Sequence, residues 1–463
     1  MLPNKKVMNN FSLQQMRSYF ETGATRSYEF RKAQLQLLKK TALEYEEEIY
    51  AALYKDLKKS REEAYASELG LLLAEINNAL KNLKKWMKPK SAGTDLVNLP
   101  ASSKIYRDPL GVVLIISPWN YPFQLLLIPL VGAIAGGNCA TLKPSEFAAA
   151  TSSVIEKIIT QIFSKEYIQV VQGDGAEIIP SMMQSFRFDH VFYTGSIPVG
   201  KIIYQLAAKD LVPVILELGG KSPVIIEGDA NMDVAARRIV MGKFLNAGQT
   251  CIAPDYLLVH ESIKDKFLEK LKNTIHSFYG NDKMASEDYG KIINEKRFDK
   301  IISYLSDGKI IIGGENDRSK LFIAPTVLEN VSIDSLVMKD EIFGPILPVL
   351  SFSSHEEALK IIRHNANPLA FYLFTSNAEK EKKWIESVPF GGGCINNTAW
   401  HFTNHHIPFG GIGNSGIGAY HGKNTFEAFT HAKPVMKTPT WIDPNIKYPP
   451  FKGKLKIFKW IIG

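Results

Sequence analysis

The stretch GVVLIIS, from Gly111 to Ser117, decides the fold. It is a short and continuous apolar run, which is typical of a strand buried on both faces of a parallel sheet. A second such run, NCATLKPS (138–145), precedes an Ala-rich helical pattern that extends to about residue 164. Further strand-like runs follow at YIQVVQGD, DHVFYTGS and PVILELGGKSPVIIEG. Strands that alternate with helices in this way predict a parallel α/β sheet.

The rest of the chain extends this pattern in both directions. Residues 9–88 carry apolar residues at three- and four-residue spacing and predict helices. A second α/β unit is predicted from helical or strand-like segments at 231–245, YLLVH, 262–278, 294–306, PILPVLSF and LAFYLFTS. Residues 92–107 show little apolar periodicity and predict a hairpin arm. Two successive α/β units imply an α/β fold with two layered domains and a cleft between them.

The composition is that of a soluble globular protein, with 45% hydrophobic and 22% charged residues in 463. The longest clean apolar stretch, Leu125–Ala135, contains Pro129 and is too short to span a bilayer. We also find no secretory signal at the start of the sequence. These features favour a protein that works in the cytoplasm.

The cysteines and the net charge exclude several kinds of site. The chain has three cysteines and no CxxC pair, which argues against a disulfide framework and a zinc ribbon. The net charge is +8, but the basic residues are spread among acids without a basic–aromatic recognition element. We therefore expect no nucleic acid partner.

One cysteine stands out from the other two. Cys251 lies in FLNAGQTCIAP (244–254), where small and polar neighbours leave the thiol accessible. Cys139 and Cys394 lie in small or apolar runs, which is the usual setting of a core thiol. Cys251 is therefore the candidate nucleophile.

Two strand ends carry residues suited to a nucleotide, although each has a structural alternative. TGSIPVG (194–200) joins a strand to a helix, so its backbone N–H groups can meet a phosphate, but an ordinary βα turn has the same pattern. Lys143 and Glu146 in LKPSE can hold ribose hydroxyls, or they can form an exposed ion pair.

Three further motifs complete a candidate catalytic set. Asn120 in SPWNYPF can cap a turn or donate its NH₂ to an oxyanion. Glu217 in ELGGKSP and Glu341 in EIFGP are candidate bases, or exposed residues at strand-to-turn junctions. Together with Cys251 they supply what acyl-thioester chemistry requires.

A histidine-rich stretch carries no metal site in this interpretation. His401 and His405 in WHFTNHH would have metal-ligand spacing on a helix. The flanking GGG and PFGG indicate a loop instead, so we predict no metal.

These motifs in this order resemble the aldehyde dehydrogenase superfamily. The chain contains PWN, KPSE, TGS, ELGGK, GQTC, EIFGP and PFGG, and the resemblance covers almost its whole length. KFLNAGQTCIAPDY and GIGNSGIGAYHGKNTFEAF look most like the class 3 branch, which includes fatty and aromatic aldehyde dehydrogenases.

The resemblance implies an α/β fold with a Rossmann-like cofactor domain, a second α/β catalytic domain and a small oligomerisation arm. The cofactor domain would comprise residues 1–93 and 108–218, and the catalytic thiol domain residues 219–428. The arm would comprise residues 94–107 and 429–437. Residues 438–463 would form a basic amphipathic tail. The expected assembly is a homodimer.

The same resemblance implies the roles of the candidate catalytic residues. Cys251 would attack the aldehyde carbonyl, and the Asn120 side chain and the Cys251 backbone N–H would stabilise the oxyanion. Glu217 matches the usual active-site glutamate of the family. Glu341 matches a residue that contacts the nicotinamide ribose and is a candidate base in the class 3 branch. The choice between the two glutamates stays open.

The resemblance also implies a nicotinamide cofactor. Lys143 and Glu146 would hold the adenosine ribose, and Phe343 together with Glu341 would lie on the nicotinamide side. Gly195, Ser196 and Gly200 would lie near the adenosine and pyrophosphate. Glu146 favours NAD because a carboxylate repels a 2′-phosphate, while class 3 relatives also tolerate NADP. The chain departs from close relatives at Ile197–Pro198, where Thr–Gly is common.

The expected reaction is NAD(P)-dependent oxidation of medium- or long-chain aliphatic or aromatic aldehydes to acids. Tyr65, Trp119 and Tyr121 are candidate residues of an apolar substrate pocket, although aromatic residues also fill cores. The alternatives are a CoA-acylating dehydrogenase, a non-catalytic binding protein on the same fold, and a cysteine hydrolase without cofactor. The last would leave the Lys143 and Glu146 loop unexplained.

The C-terminal tail has a pattern of its own. Lysines alternate with apolar residues in KYPPFKGKLKIFKWIIG, which is too short to span a bilayer. The pattern suits weak peripheral contact with an anionic membrane, while packing on the protein itself or on a dimer partner is the commoner outcome.

Overall fold

The computed structural model describes residues 5–462, with side chains for residues 12–460 and 462. Its helices are α1 (Lys5–Glu21), α2 (Tyr28–Glu44), α3 (Glu46–Leu57), α4 (Arg61–Ala64), α5 (Gly70–Met87), α6 (Gln124–Gly136), α7 (Ala149–Ile162), α8 (Gly175–Ser185), α9 (Ile197–Ala208), α10 (Met232–Phe244), α11 (Lys264–Tyr279), α12 (Glu295–Ser303), α13 (Leu336–Lys339), α14 (His355–Arg363), α15 (Ala378–Ser387), α16 (Lys423–Ala428) and α17 (Leu455–Ile462). A π-helix, Tyr65–Leu69, joins α4 to α5.

The strands are β1 (Lys90–Ala92), β2 (Ser102–Pro109), β3 (Val112–Ile116), β4 (Cys139–Lys143), β5 (Ile168–Val170), β6 (His190–Thr194), β7 (Val214–Glu217), β8 (Pro223–Ile226), β9 (Tyr256–His260), β10 (Lys309–Ile312), β11 (Asn316–Asp317), β12 (Phe322–Ile323), β13 (Thr326–Glu329), β14 (Ile346–Phe352), β15 (Ala370–Phe374), β16 (Gly392–Ile395), β17 (Gly416–Ile417) and β18 (Thr430–Lys437).

The first sheet has the order β17–β7–β6–β3–β4–β5. Its strands are parallel except for β17, which pairs antiparallel to β7 at the edge. Every residue of β3, β4 and β6 is buried, because helices cover both faces of the sheet. Helix α6, which connects β3 to β4, is buried on all sides and accordingly apolar all round.

The second sheet has the order β10–β13–β14–β9–β8–β15–β16. It is parallel except for β10, which runs antiparallel to β13. The helix before β9 begins where the Asn231 side chain accepts a hydrogen bond from the Val234 amide, a common N-terminal cap. Two parallel sheets, each layered with helices, confirm the predicted α/β fold class.

A small antiparallel sheet stands apart from these two. Strand β2 pairs with β1 on one side and with β18 on the other. Residues 90–109 thus form a hairpin that a strand near the end of the chain extends. The domain boundaries given above stay predictions. Residues 1–4 of the expected cofactor domain and residue 463 of the expected tail lie outside the described part of the chain.

The tail after β18 ends in α17, which lies beside the short 3₁₀ turn Leu96–Asn98. Trp460 on this helix is 80% exposed. Among the helices of the described residues, none combines the length and the apolar character needed to cross a membrane.

Candidate active site

A cavity of about 280 Å³ lies between the two large sheets. Loops at the carboxyl ends of β3, β6 and β7 line one side of it. The segments that precede β9, β14 and β15 line the other side. The cavity therefore lies at the edge of the first sheet where parallel α/β proteins bind their ligands.

Cys251 lines this cavity and is partly exposed. The backbone before it is strained, since Asn246 and Ala247 both have a φ of 51°. Two contacts fix this segment: the Asn246 amide donates to Glu63 Oε1 at 3.0 Å, and Gln249 Nε2 donates to the Asn246 carbonyl at 3.0 Å. The strained turn places the thiol in the cavity instead of the core.

Asn120 is almost completely buried beside the thiol loop. Its Nδ2 donates to the Gln249 carbonyl at 2.9 Å, which leaves the second N–H of the amide unused by that bond. The backbone carbonyl of Asn120 accepts a hydrogen bond from Asn246 Nδ2 at 2.9 Å. These bonds tie the loop after β3 to the loop that carries Cys251, so the amide and the thiol have fixed relative positions.

The surroundings of Cys251 disfavour its thiolate form. Burial raises its pKa to about 12, and the neighbouring carboxyl groups of Glu341 and Glu217 act in the same direction when they are ionised. The backbone N–H groups of Cys251 and Ile252 act against this rise. A nucleophilic sulfur at this position therefore needs a base that removes its proton.

The two glutamates differ in their surroundings. Glu217 ends β7, and both of its carboxylate oxygens are buried without a hydrogen-bond partner. Burial raises the pKa of Glu217 well above its ordinary value. Burial and the charge of Asp255 raise the pKa of Glu341 to about 8, while a hydrogen bond from the Gly220 amide moderates the rise.

Gly219 lets the Glu341 carboxylate approach the end of β7. A Cβ atom at this position would lie 2.0 Å from Glu341 Oε2, so any other residue would displace this carboxylate. The ELGGK motif thus carries a carboxylate of its own and also admits a second one from the EIFGP motif.

The residues predicted to hold a cofactor lie along the same edge of the first sheet. Lys143 Nζ donates to Glu146 Oε2 at 3.0 Å at the end of β4, outside the cavity lining. Gly195 and Ser196 line the cavity at the start of α9, and Gly200 is buried in the first turn of that helix. The predicted residues on the nicotinamide side, Glu341 and Phe343, line the cavity opposite them.

This edge fits a dinucleotide. The N-terminus of α9 follows β6 directly and presents free backbone N–H groups to an anion. Thr194 lines the cavity at the same point, and its buried Oγ1 has no hydrogen-bond partner. A Cβ at Gly200 would meet Leu218 Cδ2 at 2.6 Å, so the helix packs closely against the sheet here.

Two of the three predicted pocket residues lie in the cavity. Trp119 and Tyr121 line it, and the Tyr121 hydroxyl lies 2.6 Å from Thr250 Oγ1. The structure does not place Tyr65 there: its side chain is 48% exposed, and Ser67 of the same π-helix lines the cavity instead. The extra residue per turn of a π-helix rotates these positions relative to the α-helix expected from the pattern.

Sequence reasoning missed one wall of the cavity. This wall consists of aromatic residues that follow β16, namely Phe402, Phe409, Tyr420 and His421. The glycines of GGG and PFGG beside them indicate only a loop. Arg297 was also missed; it lines the cavity and donates to the carbonyls of Ile342 and Phe343. Residues on loops show no hydrophobic periodicity, so the sequence pattern does not identify them as part of the cavity lining.

The part of the chain that the structure describes contains no group of three or more His, Cys, Asp or Glu residues arranged to hold a metal ion. His401 lies in a 3₁₀ turn, Trp400–Thr403, where its Nδ1 is 3.6 Å from Cys394 Sγ.

Comparison with known proteins shows the family of the chain. Residues 10–435 match the model of the aldehyde dehydrogenase family. The chain is 46% identical to 4,4'-diaponeurosporen-aldehyde dehydrogenase of Staphylococcus aureus, over 96% of each chain. It is 41% identical to the dimeric NADP-preferring aldehyde dehydrogenase of Canis lupus familiaris, over 96% of this chain and 98% of the relative.

A solved structure gives the same result. The substrate-bound state of Staphylococcus aureus AldH superposes with a TM-score of 0.96 at 45% identity, over 98% of this chain and 99% of that chain. Both comparisons confirm the resemblance drawn from the motifs.

Proposed function

Because the chain belongs to the aldehyde dehydrogenase family, in which it is an NAD(P)-dependent aldehyde dehydrogenase of the family 3 type, we propose that it oxidises apolar aldehydes through Cys251. The substrates are medium- or long-chain aliphatic or aromatic aldehydes, and the products are carboxylic acids. The observation that carries this proposal is the convergence of Cys251, Asn120, Glu217 and Glu341 on one cavity.

In the first step the Cys251 thiol gives its proton to a neighbouring carboxylate, and the sulfur adds to the aldehyde carbonyl carbon. The electron pair of the C=O bond moves to oxygen as the C–S bond forms. The free N–H of the Asn120 amide and the Cys251 backbone N–H donate to this oxyanion. Each donor acts in a site that is largely shielded from water, where such bonds are strongest.

The residues around α9, together with Lys143, Glu146 and Phe343, would hold the cofactor. When bound, NAD(P)⁺ supplies the acceptor for the hydride that leaves the tetrahedral carbon. The acyl group then remains on Cys251 as a thioester. A glutamate removes a proton from water, and the hydroxide adds to the thioester carbon. The C–S bond then breaks as the carboxylic acid forms, and the Cys251 sulfur takes back the proton that the glutamate holds.

Glu341 is the better candidate for this base. Its pKa of about 8 keeps a useful fraction of carboxylate near neutral pH, whereas the stronger burial of Glu217 favours its protonated form. Of the two glutamates, Glu341 also has the larger effect on the pKa of the Cys251 thiol.

We propose NAD as the preferred cofactor. The carboxylate of Glu146, which accepts from the Gly175 amide at 3.1 Å, is fixed at the end of β4. A fixed negative charge at the adenosine ribose repels a 2′-phosphate. One relative named above is NADP-preferring, so NADP is the second cofactor to be measured.

The walls of the cavity support an apolar substrate. Trp119, Leu125, Phe402 and Phe409 contribute to its lining. Such a surface gains most from long or aromatic hydrocarbon chains. The relative of 46% identity is named for an aldehyde, 4,4'-diaponeurosporen-aldehyde, which supports an aldehyde as the substrate of this chain.

The exposed side chains of the arm support a homodimer. Val435 and Met436 on β18 are 42% and 51% exposed, so the sheet offers an apolar surface to a second copy. The weak membrane contact considered for the tail, and the cytoplasmic location, stay predictions.

The test is the production of NADH or NADPH at 340 nm. Purified protein is mixed with either cofactor and a panel of aldehydes from propanal to dodecanal plus benzaldehyde. Cys251→Ala is the inactive variant and Cys394→Ala its matched control. Cysteine-dependent signal without CoA that grows with chain length, together with a free acid as product, is the expected result.

Two outcomes would contradict the proposal. A signal only in the presence of CoA, with an acyl-CoA product, would show an acylating enzyme. No signal with any aldehyde from folded and reduced protein would favour a binding role.

A further inference from the structure

A buried ion pair lies directly behind the loop that carries Asn120. Lys59 Nζ and Glu68 Oε1 are 2.6 Å apart, and both side chains are fully buried. A buried pair of this kind gains little net stability, because both charges lose their hydration. Its position therefore needs another explanation.

Lys59 directs its ammonium group at the loop itself. Its Nζ donates to the Asn120 carbonyl at 3.0 Å and lies 3.9 Å from the centre of the Tyr121 ring. With the bond to Glu68, all three N–H donors have an acceptor or a π face. The Asn120 carbonyl is thus held by Lys59 and by Asn246 Nδ2 at once.

Glu68 holds the far end of the same loop. Its Oε2 accepts from the amides of Phe123 and Gln124 at 3.2 and 2.9 Å. These amides open α6, whose first residues have no side-chain cap of their own. A carboxylate at this point satisfies free N–H groups and favours the helix dipole.

We propose that Lys59 and Glu68 are positioning residues for the oxyanion donor Asn120. The pair clamps the loop at Asn120 and at the start of α6, with Lys59 in the loop between α3 and α4 and Glu68 in the π-helix Tyr65–Leu69. Lys59 does not line the cavity, so it acts through Asn120 and not on the substrate. The inference rests on the proposed function, since it assumes that Asn120 stabilises an oxyanion at Cys251.

The test variant carries Lys59→Met and Glu68→Gln together. Removing both charges avoids a single buried charge, and the glutamine side chain that replaces Glu68 retains an oxygen for the α6 amides. The matched control is Lys264→Met with Glu329→Gln, an ion pair of 2.5 Å at the second sheet with side chains 22% and 21% exposed.

The main readout is the affinity for an alkyl trifluoromethyl ketone without cofactor, followed by fluorine NMR. Its carbonyl carbon forms a C–S bond with Cys251, and its oxygen becomes an alkoxide as the thiol proton passes to a neighbouring carboxylate. The second readout is the dissociation constant for NAD from protein fluorescence. Misplacing a catalytic group by about 1 Å can cost about 100-fold in rate.

We expect the adduct affinity and kcat/KM to fall together by about 100-fold in the test variant, with NAD affinity changed less than about twofold. The control variant should keep all three values. A folded test variant whose adduct affinity stays within about threefold of the wild type would overturn the inference.

Should the test variant not fold, Lys59→Arg is measured by the same criteria. It keeps the charge opposite Glu68 but changes the contact with the Asn120 carbonyl. A wild-type protein that forms neither adduct nor NADH would instead overturn the proposed function, and the inference with it.

Discussion

Replacing Glu341 by glutamine tests the electrostatics of the cavity. Burial and the charge of Asp255 raise the pKa of Glu341 to about 8 from an ordinary value of 4.5. The folded protein therefore binds the proton more tightly than the unfolded chain does. The contribution of protonated Glu341 to the free energy of unfolding is therefore fully present below about pH 4.5. It is lost as the pH rises through about 8.

The size of the effect follows from the shift. One pKa unit corresponds to about 1.4 kcal/mol, so the full ionisation of Glu341 costs up to about 5 kcal/mol of folding free energy. The glutamine side chain of the Glu341→Gln variant does not ionise, so the variant does not lose this folding free energy. Relative to wild type, we expect the variant to gain about 3 kcal/mol in the free energy of unfolding between pH 5 and pH 8.

The assay is urea-induced unfolding followed by tryptophan fluorescence at half-unit intervals from pH 5 to pH 9. Glu29→Gln, an exposed glutamate on α2, is the control and should follow the wild type at every pH. Parallel curves for wild type and Glu341→Gln, with a difference constant to about 0.5 kcal/mol, would refute the reasoning. Glu341 would then ionise as an ordinary hydrated carboxylate.

Three further substitutions test the geometry of the site. Asn120→Ala should lower kcat/KM by about 10²–10³-fold in the 340 nm assay, since it removes one oxyanion donor; a change below about threefold would contradict that role. Gly219→Ala should lower kcat much more than NAD affinity, because its Cβ would lie 2.0 Å from Glu341 Oε2; unchanged turnover would show that Glu341 can move without loss. Trp119→Ala should raise the KM for dodecanal several-fold through lost apolar contact, whereas Tyr65→Ala should leave it unchanged, and equal effects of the two would reject the lining described above.

The parts of the fold that could be predicted are those with a local signal. The run VVLII predicts a buried strand because five successive apolar residues suit only a position covered on both faces, and β3 is such a strand. The unusual Ile197–Pro198 pair is compatible with a helix start after β6, because proline is accepted in the first turn of a helix. Helix α9 indeed begins at Ile197 with proline in its first turn.

The residues of the candidate site could be predicted where a recognisable motif carries them. Cys251, Asn120, Glu217 and Glu341 are separated by up to 221 positions in the sequence but line one cavity. Their separate motifs could not show this proximity, and the family resemblance supplied it. Their catalytic roles stay predictions until the variants are measured.

The rest depends on tertiary contacts that leave no pattern in the sequence. Tyr65 is a candidate pocket residue in the sequence, but it lies in a π-helix and its side chain is exposed. The left-handed backbone at Asn246 and Ala247 persists because Glu63 and Asn120 bind it from elsewhere in the chain. Lys59 and Glu68 look like ordinary charges of a surface helix until the structure shows them fully buried.

The pairing of β17 with β7 has a consequence for biosynthesis. Gly416 lies opposite Glu217, so the strand that ends in this glutamate gains its outer neighbour from a segment made almost 200 residues later. At about 5–20 residues per second, the ribosome needs roughly 10–40 s to reach that segment. During this interval the edge of β7 lacks its partner on the nascent chain, and a chain truncated before Gly416 never receives it.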